Sequence, residues 1–209
     1  MNIFLLISIV SSIFIVVFGI WFVVSNIKKY NKEQKREKEN FANENGFESN
    51  EDFKEEISLD FKLLKYASKR SLNNVIKKDN ILICDYRYST GKNDIFYTVL
   101  QYKLEKDVPD FILIKNNIFY KFLKIFGYKN IEFEHYPKFS NKYLLRGYDD
   151  MRIKSFFSDD KLMFFEQLED FDNIEVKNNL FMTYKYKIEY DMYNDFIEKI
   201  KRIIDLLGR

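Results

Sequence analysis

The feature that most constrains this chain is a run without charge. Residues 3–24, IFLLISIVSSIFIVVFGIWFVV, hold no charged residue and no proline. At about 1.5 Å rise per residue such a run makes a helix of roughly 33 Å, enough to cross a hydrocarbon core of about 30 Å. Its clearly polar members, Ser8, Ser11 and Ser12, can return their hydroxyls to a backbone carbonyl one turn earlier and need not stay unsatisfied in lipid. Trp21, near the last turn, suits an interfacial belt. A cleaved signal peptide would need a basic leader, a shorter apolar stretch and a small-x-small cleavage site. Met1 and Asn2 precede the run and VVSNIKKY closes it. The pattern therefore predicts an uncleaved anchor over residues 1–26, in contact with a lipid bilayer through Ile3 to Val24.

Orientation follows from the flanks. Lys28, Lys29, Lys32, Lys35, Arg36 and Lys38 crowd the end of the run, and basic residues close to a membrane segment stay in the cytoplasm. The expectation is an amino terminus outside and a cytoplasmic carboxy-terminal domain. A single cysteine, Cys84, cannot form an internal disulfide and suits a reducing compartment. Residues 27–50 read as a charged juxtamembrane linker. Its basic half extends the membrane helix for a few turns before Asn43 to Asn50 loosens it. Glu33, Glu37 and Glu39 dilute the basic cluster, so it reads as a topology signal and solvated stalk rather than an anionic-lipid patch.

What remains, residues 51–209, has the size of one domain with a real core. The 34 basic residues are nearly balanced by 32 acidic ones, which argues against an electrostatic nucleic-acid binder. EDFKEEISLDFKLLKYASKRSL, residues 51–72, repeats Phe53, Ile57, Phe61, Leu64 and Ala67 at three and four and predicts a helix. Then the period changes. Ile81 to Tyr88 and Ile95 to Leu104 read as a hairpin around Gly91 and Asn93. PDFILI predicts a third strand, NIFYKFLKIFG a short helix closed by Gly127, and IEFE and KYLLRGY a fourth and fifth strand.

DMRIKSFFSDDKLMFFEQLEDF predicts two short helices, the second started by Ser158, Asp159 and Asp160. NIEVKNNLFMTYKYKI reads as a last hairpin turned at Asn178 and Asn179, its second strand half-buried with Leu180, Met182, Tyr184, Tyr186 and Ile188 on one face. From about Met192 to Leu207, Phe196, Ile197, Ile200, Ile203, Ile204 and Leu207 form one stripe of an amphipathic carboxy-terminal helix that Gly208 ends. The predicted class is α+β: a curved antiparallel sheet of about six or seven strands packed by helices.

The order of motifs DYRYSTG, PDFILI and PKFSNKYLLRGYD followed by MRIKSFF resembles a family of uncharacterised bacterial proteins with one amino-terminal transmembrane helix and a cytoplasmic α+β domain. The resemblance spans roughly residues 60 to 205 and implies no catalytic residue.

The chain shows no Gly-rich phosphate loop, no Cys pair for zinc and no nucleophile elbow; no cofactor or metal is expected. The sole histidine, His135, lies in IEFEHYPKFS, where strand alternation would turn Glu132 and Glu134 away from it and spoil a local metal site. Asp85 and Arg87 share a strand face that Arg146 could join, as a polar binding cluster or as cross-strand ion pairs. Asp149 and Asp150 resemble paired carboxylates but stand where a helix start attracts negative charge. Asp85, Arg87, His135, Arg146 and Asp149 are the candidate binding residues. The reading is a membrane-tethered binding or scaffold domain with a protein partner; the alternative is a membrane-associated enzyme acting on a lipid or envelope precursor.

Overall fold

The structure, a computed structural model, describes residues 3–64, 69–89, 91, 93–116, 130–169 and 173–208. The chain divides into two compact units, residues 1–45 and 46–209.

The first unit is a single helix, α1 (Ile3–Asn45). Among the described residues it is the one helix long and apolar enough to cross a membrane. Its large apolar side chains from Ile13 to Val24 stand 43% to 71% exposed, an apolar surface that water penalises and lipid does not. Beyond the apolar run the helix is polar and carries i,i+4 pairs, Lys29 with Glu33 and Lys35 with Glu39. It does not loosen at Asn43. It runs to Asn45, whose amide donates to the Phe41 carbonyl at 2.9 Å, and stops where Gly46 takes φ 70°.

The second unit is built on an antiparallel sheet of eight strands: β1 (Glu48–Ser49), β2 (Lys69–Lys78), β3 (Ile81–Ser89), β4 (Asp94–Lys103), β5 (Phe111–Lys115), β6 (Tyr143–Gly147), β7 (Asn173–Lys177) and β8 (Leu180–Tyr186). The spatial order is β1-β2-β3-β4-β8-β7-β5-β6. The fold is α+β as expected, with more strands. Both predicted hairpins form. Gly91 adopts φ 86° beyond the end of β3, and Asn178 and Asn179, at φ 50° and 60°, make the tight β7–β8 turn.

Three expectations are corrected. Residues 51–72 are not one helix: Glu51–Glu56 and Lys62–Leu64 are short 3₁₀ turns, and β2 begins at Lys69. Phe53, Ile57, Phe61 and Leu64 still turn to one side, but as a strap laid on the sheet, where contact with the core replaces helical hydrogen bonds; Ala67 lies outside the described residues. IEFE forms no strand. Ile131 makes one bond to the Leu145 carbonyl (2.8 Å), and Phe133 is held by the Ser140 hydroxyl (3.0 Å), because the chain turns there into α2 (Pro137–Lys142). Nor is β8 half-buried: Phe181, Met182 and Thr183 are all at most 2% exposed, since both faces of the sheet are covered. The helix predicted over NIFYKFLKIFG lies outside the described residues.

One face carries helices. At the β5–β6 end, α2, α3 (Asp150–Phe156) and α4 (Asp159–Gln167) meet the sheet through Phe111, Phe139, Tyr143, Phe157 and Phe165, with ring centroids 5.1 to 6.4 Å apart. The Lys142 ammonium donates to the Glu166 and Leu168 carbonyls, each at 2.8 Å, and closes the end of α4. Along β3 and β4 the cover is α5 (Tyr193–Leu207), which buries Tyr193, Ile197, Ile200, Ile203, Ile204 and Leu207 and leaves Phe196 at the margin. The other face carries the strap. Phe61, Leu64, Val75, Cys84, Tyr86, Val99 and Met182 form its core.

Candidate functional site

The strap cannot satisfy its own backbone as a helix would, so the sheet supplies partners. Gln101, on β4, accepts from the Ser58 N–H at 3.0 Å and donates to the Ser58 carbonyl at 2.6 Å. Glu175, on β7 and 3% exposed, accepts from the N–H groups of Lys62 and Leu63, each at 2.8 Å. Burial pushes the Glu175 carboxyl above its ordinary range, against the pull of those two N–H groups and of Lys62 and Lys177. Lys177 in turn reaches the Asp60 carboxylate.

Register then fixes what lies beside this anchor. Ile112 on β5 pairs with Glu175 on one side and Arg146 on the other, so the three share the strap face, and alternation adds Asp110, Tyr148 and Lys177. These side chains and Lys62 surround a cavity of about 170 Å³. Asp110 accepts from the Asn178 N–H at 2.8 Å, and the Lys62 ammonium lies 4.9 Å from the centre of the Tyr148 ring. Arg146 is half-buried and its Nε is sealed from solvent without a hydrogen-bond partner. Burial alone pushes its guanidinium down from the ordinary arginine value. Gly147 is required where β6 passes β5: a Cβ there would stand 2.7 Å from the Asp110 carbonyl oxygen and overlap the Ile153 side chain.

The structure separates the other predicted residues from this cavity. Asp85 and Arg87 lie on the helix face of β3, opposite to Arg146, since the register carries Asp85 through Thr98 to Lys185 while Arg146 aligns with Ile112, Glu175, Met182 and Gln101. The cluster of Asp85, Arg87 and Arg146 therefore does not form. Asp85 accepts from the Asn74 amide (2.7 Å) and the Tyr193 hydroxyl (3.4 Å); Arg87 pairs with Asp94 at 2.5 Å over the Phe96 ring. His135 is exposed in the turn before α2, as are Glu132 and Glu134, so strand alternation has no bearing on them. Asp149 caps α3, accepting from the Arg152 N–H at 2.9 Å. Glu175 and Lys62 were not foreseen; a carboxylate inside the apolar run of NIEVK was the one available signal.

No family model and no curated protein matches the chain. Among solved structures it is similar to the mycobacterial trehalose monomycolate transport factor A, TtfA, at a TM-score of 0.61 and 9% identity, over 83% of this chain and 94% of that one. At that identity the likeness concerns the fold.

Proposed function

We propose that the chain is a single-pass membrane accessory protein whose cytoplasmic α+β domain binds a partner protein at the membrane surface. The observation that carries this reading is the exposed apolar surface of α1 from Ile13 to Val24, followed by a separate compact unit. The basic residues from Lys28 to Lys38 support a cytoplasmic domain. The neighbour's name, a transport factor, agrees with an accessory role. Binding is favoured over catalysis because Asp85, Arg87, His135, Arg146 and Asp149 fall at separate places instead of converging on one pocket.

The test uses the full chain in its own membrane. It should resist alkaline carbonate extraction, and an alkaline phosphatase fused after Arg209 should stay inactive. A photoreactive amino acid at Met151, 84% exposed, at Met163 or at Met192 should give a discrete protein adduct. Release by carbonate, an active phosphatase, or no protein adduct from any of the three positions would contradict the proposal.

A further inference from the structure

We propose that the cavity around Arg146 is a binding site for a phosphate group. The inference rests on the cavity alone and stands whether or not the domain binds a protein at a membrane.

The starting point is an unanswered charge. A guanidinium keeps its proton at any physiological pH, so its desolvation must be offset by an acceptor. The large majority of buried polar atoms in folded proteins have partners, yet the Nε of Arg146 is sealed from solvent and has none, and no carboxylate pairs with Arg146 among the described residues. The acids that line the cavity with it are engaged elsewhere. Glu175 holds the Lys62 and Leu63 N–H groups, and Asp110 holds that of Asn178. Neither carboxylate swings to Arg146 without leaving a backbone donor orphaned. Among the described residues none supplies the missing acceptor, and a ligand in the cavity can.

The cavity's shape and chemistry narrow what that acceptor is. About 170 Å³ is well above the roughly 10–15 Å³ that one water needs. Lys62 and Lys177 join Arg146 in the lining beside Asp110 and Glu175; Lys177 also pairs with Asp60 and Lys62 lies over the Tyr148 ring, so an incoming anion meets the planar fork of Arg146 with two further cations beside it. Such a set suits a tetrahedral, multiply charged oxyanion. Ile112 forms part of the wall, where reduced solvent contact strengthens each charged hydrogen bond. The site is also held in place: Arg146 sits on a paired strand whose next residue, Gly147, packs directly against the Asp110 backbone.

The test is thermal unfolding of the full chain in neutral maltoside micelles at fixed pH and ionic strength, with chloride replaced by inorganic phosphate or glycerol 3-phosphate. A second series dopes the micelles with phosphatidate or with diacylglycerol of the same chains. Expected is a saturable rise in the unfolding midpoint, with apparent affinity at least about tenfold weaker in Arg146→Met and unchanged in the remote Lys199→Ala. Because Arg146→Met changes a half-buried side chain, Tyr148→Glu provides a variant at a position 78% exposed: its carboxylate, two residues along the same face, supplies an internal anion and should suppress the response. A rise with the soluble phosphates marks a free ligand; a rise only with phosphatidate marks a lipid headgroup; both support the site. No rise in either series, or the same rise in the wild type, Arg146→Met and Tyr148→Glu, would leave a water-filled cavity and overturn the proposal.

Discussion

The two faces of the sheet are covered by different means. On the helix face, α5 satisfies its own backbone and offers Ile197, Ile200, Ile203 and Ile204 at helical spacing, so the contact is mainly apolar, with one polar tie from the Tyr193 hydroxyl to Asp85. On the strap face, 3₁₀ turns and extended chain cannot do so, and buried polar side chains, Gln101 and Glu175, rise from the sheet to hold Ser58, Lys62 and Leu63. An irregular cover therefore brings polar groups into the core, and next to them lies the cavity with Arg146. Polar chemistry collects where regular structure runs out.

The largest effect should come from the helix face. Ile200 is 1% exposed, and Ile200→Ala should cost about 2–5 kcal/mol through lost burial and the cavity left behind. Denaturant unfolding of the full chain in micelles measures it. A loss below about 1 kcal/mol would mean that α5 contributes far less than its burial implies, and the comparison of the two faces would fail.

The second effect belongs to the strap. Glu175→Leu removes the acceptor of two part-buried N–H groups, each worth up to about 1–3 kcal/mol when orphaned, while relieving the burial of a carboxyl. Hydrogen exchange should separate the faces: the Lys62 and Leu63 amides should exchange much faster, and the amides of α5 should not change. Uniform acceleration would show that the faces unfold as one unit and share their stability.

How much of this contrast was legible in the sequence depends on period. The β3–β4 and β7–β8 hairpins and α5 announce themselves because alternation of two, or an apolar stripe at three and four, is sustained over whole elements. The strap misleads because Phe53, Ile57, Phe61 and Leu64 repeat as a helix would; spacing records which side chains face the core, not which bonds the backbone makes. β2 is masked by the polar residues that surround Leu72 between Lys69 and Asn74; three of its first four positions are exposed because only the two-residue β1 lies beyond it. Arg146 was nameable, but the residues that line its cavity were not. Whether it shares a face with Asp85 depends on register carried across five strand pairings, and no local pattern encodes strand order.

A smaller effect concerns pH. Burial raises the folded value of Glu175 above the ordinary 4.5, so the folded state favours the protonated form. Its contribution to stability is fully present below pH 4.5 and is lost as pH rises through the raised folded value. Glu175→Gln, which cannot titrate, should remove that part of the pH dependence, visible as the difference between the two stability profiles across the window. A constant difference between wild type and variant would place Glu175 in a far more solvated site than the strap anchor requires.

Smaller again is Gln101→Ala, which gives up the bonds to Ser58. The net value of an intramolecular hydrogen bond is about 0.5–1.5 kcal/mol, and Ser58 lies where the strap borders solvent, so water replaces part of what is lost. Protease cleavage near Ser58 should increase more than global stability falls; an unchanged cleavage rate would assign the hold on the strap to its apolar contacts, Ile57 and Phe61, rather than to Gln101.

The smallest effect should come from the outer side of α5. Lys199 sits beside Ile200 in sequence but about 100° around the helix, and its ammonium donates to the Glu169 carbonyl at 3.2 Å from an exposed position. Water can take over for either partner, so Lys199→Ala should change stability by no more than about 0.5 kcal/mol. Set against Ile200→Ala in the same unfolding experiment, it asks whether the helix face is held by its apolar stripe alone. If the two neighbours cost the same, the polar tie from Lys199 to Glu169 would be a strut like those of the strap, and the two faces would be covered by one mechanism instead of two.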